Sequence, residues 1–285
     1  RYTGSKIEFV TSYTYPGHTC MYEGGYSAYS KGSSINSECV IDSTGKTVIP
    51  AGEYENIYQI SDGYAVVGKT FDGKTKKYFV DLTSGSTKSL PEGTLHYGDG
   101  LISIWSGGYS DGQQRYEDLN GNVVLTLPTG YHGGTFLGGY AVVDILRDWT
   151  YGGGYQIIDR QGNIISKFLP IRPSDYFGRD DVDYDSIAEY TVLGGVQENL
   201  ICVREKMWTE YGGENNRCGY ADIYGNIVIS CEYEPANRHT FCNGYVVLEK
   251  ITNGKHEKGL INRRGEIIIP FGRYQNLSDV SETGL

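Results

Sequence analysis

Short apolar stretches separated by glycine-centred turns follow one another along the whole chain. In the first clear example Val40-Ile41 precedes Asp42, Gly45 follows in the turn, and Val48-Ile49-Pro50 comes next. This order is typical of a β-hairpin, because the Asp side chain caps the turn and the Gly adopts a positive φ. The pattern predicts β-strands throughout, and one short helix within 183–191.

The same hairpin pattern occurs six times. Its turn glycines are Gly45, Gly85, Gly121, Gly162, Gly225 and Gly265, at spacings of 40, 36, 41, 63 and 40 residues. A fixed period of this size indicates a repeat architecture. The one long interval predicts an insertion loop at about 168–195, and we expect residues 1–285 to form a single β-repeat domain.

A second signature lies between the hairpins: a short strand entered through a glycine turn, as in Asp62-Gly63-Tyr64-Ala65-Val66-Val67. A further candidate strand precedes it at 54–60. Each unit of about 40 residues therefore has four short strands. We call the two hairpin strands a and b. The candidate strand at 54–60 and its counterparts are called c, and the strand that follows the glycine turn is called d.

Four antiparallel strands per unit predict an all-β fold with about six four-stranded repeats, and we expect a six-bladed β-propeller. The N-terminal c and d strands have no hairpin before them, and the last hairpin has no d strand after it. We therefore expect Tyr26–Tyr29 to pair with the C-terminal unit at 258–270 and close the ring, which removes two open edges. An open β-solenoid is the alternative, and two smaller β domains are a third arrangement.

These units resemble the WG repeat family of bacteria. The hairpin matches the family's Ile-Asp-x-x-Gly and Val-Ile-Pro elements best at 41–50 and 261–270, and the d strand matches its Gly-Leu-Ala-x-Val element at 63–67 and 139–143. The family's Trp is absent, since Lys77-Tyr78, Gly154-Tyr155 and Gly219-Tyr220 stand in its place. The resemblance implies a binding or scaffolding role and no catalytic residues.

Composition limits the partners and the compartment. The net charge of −10 disfavours a nucleic acid, which is held by neutralising phosphates. No apolar stretch approaches the roughly 20 residues of a membrane-spanning helix. Because the chain begins with Arg1 and has six Cys, we expect an exported, extracellular or cell-surface monomer. If the loop at Gly225 has four residues, Cys218 lies opposite Cys231 and the two could form a disulfide, and six free thiols are the alternative.

The candidate chemistry is sparse. Asp181, Asp183 and Asp185 have the alternate spacing of a calcium loop, but the Gly and Glu of an EF-hand are missing, so an irregular Ca²⁺ site is a weak candidate and a solvated acidic loop is the default. We predict no other cofactor and no enzyme activity. A carbohydrate-active enzyme with carboxylates from separate repeats is the alternative function.

Aromatic residues mark the candidate binding face. In an alternating sheet the b–c and d–a loops lie at one end, and we assign the insertion and a long d–a loop at 205–218 to that end. The candidate ligand-binding residues there are Trp105, Trp149, Tyr151, Tyr176, Phe177, Trp208 and Tyr211. Aromatic rings stack on sugars or receive apolar side chains. The sequence therefore predicts a non-catalytic module that presents its loops to a glycan or a protein, with a purely spacing role as a third hypothesis.

Overall fold

A computed structural model describes residues 21–23, 25–30, 38–108, 112–145, 154–166, 169–170, 189–208, 214–234, 241–275 and 277. Every regular element in these ranges is a β-strand, which confirms the all-β prediction. The strands form six antiparallel sheets, five with four strands and one with three.

The six sheets follow one another along the chain. Sheet 1 contains β1 (Met21–Glu23), β2 (Tyr26–Ser30), β3 (Glu38–Asp42) and β4 (Thr47–Ile49). Sheet 2 contains β5 (Asn56–Ser61), β6 (Tyr64–Phe71), β7 (Lys74–Asp81) and β8 (Thr87–Ser89). Sheet 3 contains β9 (Thr94–Gly98), β10 (Leu101–Ser106), β11 (Gln113–Asp118) and β12 (Val123–Thr126).

The remaining sheets repeat this arrangement. Sheet 4 contains β13 (Tyr131–Gly133), β14 (Tyr140–Ile145), β15 (Gly154–Asp159) and β16 (Leu169–Pro170). Sheet 5 contains β17 (Glu189–Gln197), β18 (Leu200–Trp208), β19 (Glu214–Asp222) and β20 (Ile227–Tyr233). Sheet 6 contains β21 (Tyr245–Thr252), β22 (Lys255–Asn262) and β23 (Ile267–Ile269), preceded by an isolated bridge from Cys242 to Tyr245.

The strand order within each sheet overturns the predicted closure. A sheet begins with c and d and ends with the following a and b, so the N-terminal strands already have a hairpin of their own. Tyr26 pairs with Glu23 on one side and with Asp42 on the other, which occupies both edges of β2. Closure by pairing of Tyr26–Tyr29 with 258–270 is therefore wrong. The predicted unit begins with strand a of the hairpin, whereas each sheet in the structure begins with strand c.

The chain divides into two compact units, and the division falls within sheet 3. One unit runs to Trp105 and includes Asp118–Asn120, and the other contains Ser106–Glu117 and continues from Gly121. In unit 1, the buried core is built from branched side chains such as Val40, Ile57 and Val67, and from a second cluster around Phe79 and Tyr97. In unit 2, one cluster joins sheets 4 and 5 and another joins sheets 5 and 6.

The hairpin turns are stabilised by the Asp or Asn side chain at the start of each turn, as the sequence pattern predicts. Oδ1 of Asp159 accepts hydrogen bonds from the backbone N–H groups of Gln161 (2.9 Å) and Asn163 (2.8 Å). The same pair of bonds forms at Asp42 and Asp222, and Asn262 performs the same role in sheet 6. The turn glycine between them has a φ of +81° at Gly162, a conformation that glycine adopts without a steric penalty.

Neighbouring sheets are joined by side chains that bond to backbone. The residue four positions before the turn Asp or Asn reaches the segment that follows its own b strand. Glu38 accepts the Ile57 N–H at 2.7 Å, and Lys77 donates to the Thr94 carbonyl at 2.6 Å. Lys258 occupies the same repeat position and donates to the Leu277 carbonyl at 3.4 Å. The first two contacts join sheet 1 to sheet 2 and sheet 2 to sheet 3 without a shared strand.

The predicted Cys218–Cys231 disulfide is wrong. Cys218 lies opposite Tyr233, because the register between β19 and β20 shifts around Gly219, and both thiols are free. A Cβ at Gly219 would lie 2.4 Å from the Ile229 carbonyl oxygen, so β20 bulges towards the space that the missing side chain leaves. Cys218 instead forms a thiol–thiol hydrogen bond with Cys202 on β18, and this bond, together with burial, raises the pKa of Cys202.

Two other loop predictions need correction. The stretch at 205–218 is not a long loop, because β18 and β19 pair from Leu200↔Asp222 to Trp208↔Glu214, which leaves 209–213 as the connection. The residues 189–191 of the predicted helix belong to β17, and the rest of that helix lies outside the described residues. Both ends of the predicted insertion at 168–195 contain strand residues, since β16 lies within it and β17 begins within it at Glu189.

Candidate functional site

Most of the predicted aromatic face lies outside the described residues. This applies to Trp149, Tyr151, Tyr176, Phe177 and Tyr211, and to the calcium candidates Asp181, Asp183 and Asp185. Within the described residues, no group of three or more His, Cys, Asp or Glu side chains could hold a metal ion. These positions therefore stay predictions.

The other two tryptophans are placed on strands. Trp105 lies one residue before the end of β10, and its N–H donates to the Gly93 carbonyl at 2.9 Å. It is half-buried in unit 1. Trp208 is the last residue of β18 in unit 2, opposite Glu214.

A different surface stands out in unit 2, formed by branched aliphatic residues just after the turn glycines. We call it the aliphatic edge. The exposed fractions are 56% for Val123, 46% for Val124, 60% for Ile164, 40% for Ile227, 43% for Val228, 55% for Ile267 and 47% for Ile268. The strands β12, β20 and β23 are the last in their sheets, so their outer edges pair with no described strand.

One of the two hairpins in unit 1 has polar residues at the same positions, and the other has Thr47 and the half-buried Val48. The positions two and three after Gly85 are Thr87 and Lys88 on β8, which is exposed along its whole length. Lys88 donates to the Leu119 carbonyl at 2.5 Å, so this strand contacts the next turn through a polar group. Because one repeat position accepts Thr and Lys within the same chain, folding of the hairpin does not require Val or Ile there.

The aliphatic residues of successive sheets lie close together. A Cβ at Gly162 would lie 2.7 Å from Leu125 Cδ1, so the hairpin turn of sheet 4 sits directly on β12. The turn of sheet 6 sits on β20 in the same way, since a Cβ at Gly265 would lie 3.6 Å from Ile229 Cγ1. The aliphatic edge is therefore composed of two neighbouring groups. One contains Val123, Val124 and Ile164, and the other contains Ile227, Val228, Ile267 and Ile268.

One row of titratable side chains crosses sheet 4. His132 is opposite Asp144, and Asp144 is opposite Tyr155, so all three share one face of the sheet. Burial raises the pKa of Asp144, and the nearby His132 opposes this rise. Among the carboxyl groups of the described residues, Asp144 is the one whose pKa is raised. Burial also raises the pKa of Tyr155. Oδ1 of Asp144 is buried and has no hydrogen-bond partner among the described residues.

This row does not have the composition of a hydrolytic site. Glycoside hydrolysis uses two carboxyl groups, whereas Asp144 is the one carboxylate of the row. Its same-face neighbours Val142 and Ile157 pack against Val192 and Val203 of sheet 5. The three polar side chains of the row therefore lie at the edge of the hydrophobic core between sheets 4 and 5.

Sequence reasoning missed the aliphatic edge. The signal was available as a Val or Ile at the second position after four of the six turn glycines. By itself this signal indicates only strand propensity, because a strand is expected to bury such residues on one face and the sequence does not say which strand is last in its sheet.

Comparisons with known proteins agree with a repeat fold. The family model described as "WG containing repeat" matches residues 40–70 and 259–285. No curated protein matches the chain. Within the described residues, no helix is long and apolar enough to cross a membrane.

Solved structures with a similar fold are peptidases that contain a β-propeller. A prolyl endopeptidase from a study of two such enzymes has a TM-score of 0.55 and 13% identity over 92% of this chain and 41% of its own. The uncomplexed acylaminoacyl peptidase of Pyrococcus horikoshii has a TM-score of 0.55 and 12% identity over 87% of this chain and 45% of its own. Prolyl oligopeptidase B of Galerina marginata has a TM-score of 0.54 and 10% identity over 90% of this chain and 43% of its own.

The chain spans less than half the length of these peptidases, and at this identity the likeness concerns the fold alone. The family match, by contrast, falls on the hairpins with turn glycines Gly45 and Gly265, where the sequence pattern is clearest. Two segments of the chain, 40–70 and 259–285, therefore match the WG containing repeat.

Proposed function

We propose that this protein is a non-catalytic protein-binding module that offers the aliphatic edge of unit 2 to its partner, on a scaffold whose six sheets are arranged as propeller blades. The observation that carries the proposal is the contrast between Val123-Val124 on β12 and Thr87-Lys88 on β8. Exposed branched aliphatic residues at a position that tolerates polar ones reduce solubility, so a binding role accounts for their presence.

The chemistry of this surface favours a protein over a glycan. Aliphatic carbons have no ring face for stacking on a sugar and no polar atoms for its hydroxyl groups. They do pack well against apolar side chains, at about 25 cal/mol for each Å² of apolar surface removed from water. A glycan partner would require the aromatic face that was predicted at Trp149 and Tyr151.

A display experiment tests the proposal. A random heptapeptide library is selected on the wild-type protein, and the enriched peptides are measured against an edge variant with V123T, V124T, I227T, V228T, I267T and I268T. We expect peptides rich in branched aliphatic residues, whose affinity falls at least about tenfold in the edge variant, equivalent to about 1.4 kcal/mol. A matched control changes three exposed apolar residues outside the edge, as F71T, L95T and I251T.

The control variant is expected to bind within about twofold of wild type, because its three substituted residues are exposed but lie outside the aliphatic edge. Selection that enriches no peptide would contradict the proposal. Peptides that bind the edge variant as tightly as wild type would contradict it too.

A further inference from the structure

The backbone of β12 has hydrogen-bonding groups directed away from its sheet. Leu127 donates its N–H to the Gln114 carbonyl at 2.8 Å, so these two residues form a hydrogen-bonded pair. Bonded and non-bonded pairs alternate along an antiparallel ladder. Thr126, which lies opposite Arg115, therefore directs its N–H and C=O outwards. No described strand lies on that side of β12.

The side chains of β12 do not protect this edge. Natural sheets discourage strand addition with Lys, Pro or a bulge on the last strand. β8 has Lys88, whereas β12 reads Val-Val-Leu-Thr, with three residues exposed and one half-buried. A bulge displaces Val124, where Tyr116 lies opposite Leu125 and Glu117 lies opposite Val123. The regular part of the strand, Leu125 and Thr126, stays open to a further strand.

We infer that β12 accepts an extended segment of a protein partner as a fifth strand of sheet 3, with branched aliphatic and basic residues alternating along that segment. This inference rests on the proposed function and names the partner's chemistry. The outward N–H and C=O of Thr126 pair with the added backbone, and the aliphatic residues of the segment pack on Val123 and Val124. Its basic residues complement the net charge of −10. The same charge opposes a second copy of the chain as the occupant.

Removing one backbone N–H group distinguishes binding by strand addition from binding by side-chain packing alone. Thr126→Pro removes the outward N–H without removing a bond of the ladder, and Pro is tolerated at edge-strand positions of this kind. Leu125 already has the extended conformation that a residue before Pro requires. Thr126→Val is the matched control, because it also removes the hydroxyl group but keeps the N–H.

The probe is a fluorescent heptapeptide of alternating lysine and valine, measured by fluorescence anisotropy at low salt. We expect it to bind wild type and Thr126→Val within about twofold of each other, and Thr126→Pro at least about tenfold more weakly. A heptapeptide of alternating glutamate and valine is expected to bind at least about tenfold more weakly than the lysine peptide. A thermal midpoint of Thr126→Pro within a few degrees of wild type establishes that the variant is folded.

Three results would overturn the inference. The first is equal binding of the lysine peptide to Thr126→Pro and wild type, and the second is no binding to wild type. If display-selected peptides still depend on the aliphatic edge in those cases, the proposed function stands and strand addition alone fails. The third is a concentration-dependent dimer in sedimentation velocity that Thr126→Pro abolishes, which would make the occupant a second copy.

Discussion

The side-chain amide of Gln114 bonds to Gly133 as a neighbouring strand would. Its Nε2 donates to the Gly133 carbonyl at 2.6 Å, and its Oε1 accepts the Gly133 N–H at 2.9 Å. Gln114 is fully buried, so these bonds satisfy polar groups that water does not reach. One side chain thereby connects the a strand of sheet 3 to the first strand of sheet 4, in the repeat position of Glu38 and Lys77.

Replacing this amide is expected to destabilise unit 2. Gln114→Leu keeps the volume but leaves the N–H and C=O of Gly133 without partners, which costs roughly 2–4 kcal/mol in the free energy of unfolding. The adjacent Gln113 is exposed, and Gln113→Leu is expected to change that free energy by less than about 0.5 kcal/mol. Urea denaturation of both variants measures the difference. Equal destabilisation by the two changes would show that the amide bridge is not a major contact.

The contact between the turn of sheet 4 and β12 has its own test. Gly162→Ala places a methyl group 2.7 Å from Leu125 Cδ1 at a φ of +81°. Gly121→Ala has a similar φ of +89° but nothing within 4 Å, so it reports backbone strain alone, about 1 kcal/mol. We expect Gly162→Ala to lower the free energy of unfolding by more than Gly121→Ala does.

A second-site change completes this experiment. Leu125→Ala is expected to reduce the additional cost of Gly162→Ala in a double-mutant cycle, because it removes the atom that the new methyl group meets. Independent, additive effects of the two changes would contradict the close approach of the turn to β12.

The turn at Asp159 predicts a loss of stability in acid. The side-chain hydrogen bond from Asn163, with the backbone bonds of the turn, lowers the pKa of Asp159 below its ordinary value of 3.8. The unfolded chain therefore takes up this proton first as pH falls, so the stabilisation is present above about pH 4 and is lost as pH falls through the lower folded pKa. Thermal melting of Asp159→Asn between pH 7 and pH 3 is expected to show a shallower acid loss than wild type. A parallel loss in both proteins would be the contrary result.

Asp144 predicts the opposite trend. Burial raises its folded pKa above 3.8, so the folded protein retains the proton longer than the unfolded chain, and stability decreases as pH rises through that interval. His132 moderates the effect, and Tyr155 is the third member of this row. The charge of Arg204, on β18 of sheet 5, acts on Tyr155. Asp144→Asn is expected to melt at or above the wild-type temperature at pH 7 and to lack this decrease. A lower melting temperature at pH 7 would indicate that the carboxylate is stabilising.

The hairpins could be predicted because their signals are local. Asp159, Gly162 and the branched residues after them act within a few positions of one another, and the structure places the six hairpins where the pattern indicated. The closure of the ring by Tyr26–Tyr29 failed for a different reason. A repeat can be divided into units at any of its strands, and pairing partners, which only the three-dimensional structure shows, decide that a sheet begins with the c strand.

The register around Gly219 and the aliphatic edge also depend on non-local contacts. A loop count cannot detect a bulge that forms because Gly219 lacks a side chain, so Cys231 was placed opposite Cys218. The burial of Val123 depends on which strand is last in its sheet.

Amide hydrogen exchange tests the central claim, that partners bind at the aliphatic edge. The protein is incubated in deuterated buffer with and without a display-selected peptide, and exchange is measured segment by segment by mass spectrometry. The account predicts slower exchange in 123–126 and in the edge strands β20 and β23, with little change in β7 and β8. Protection confined to segments around Trp149 and Tyr151, with unchanged exchange at 123–126, would contradict it.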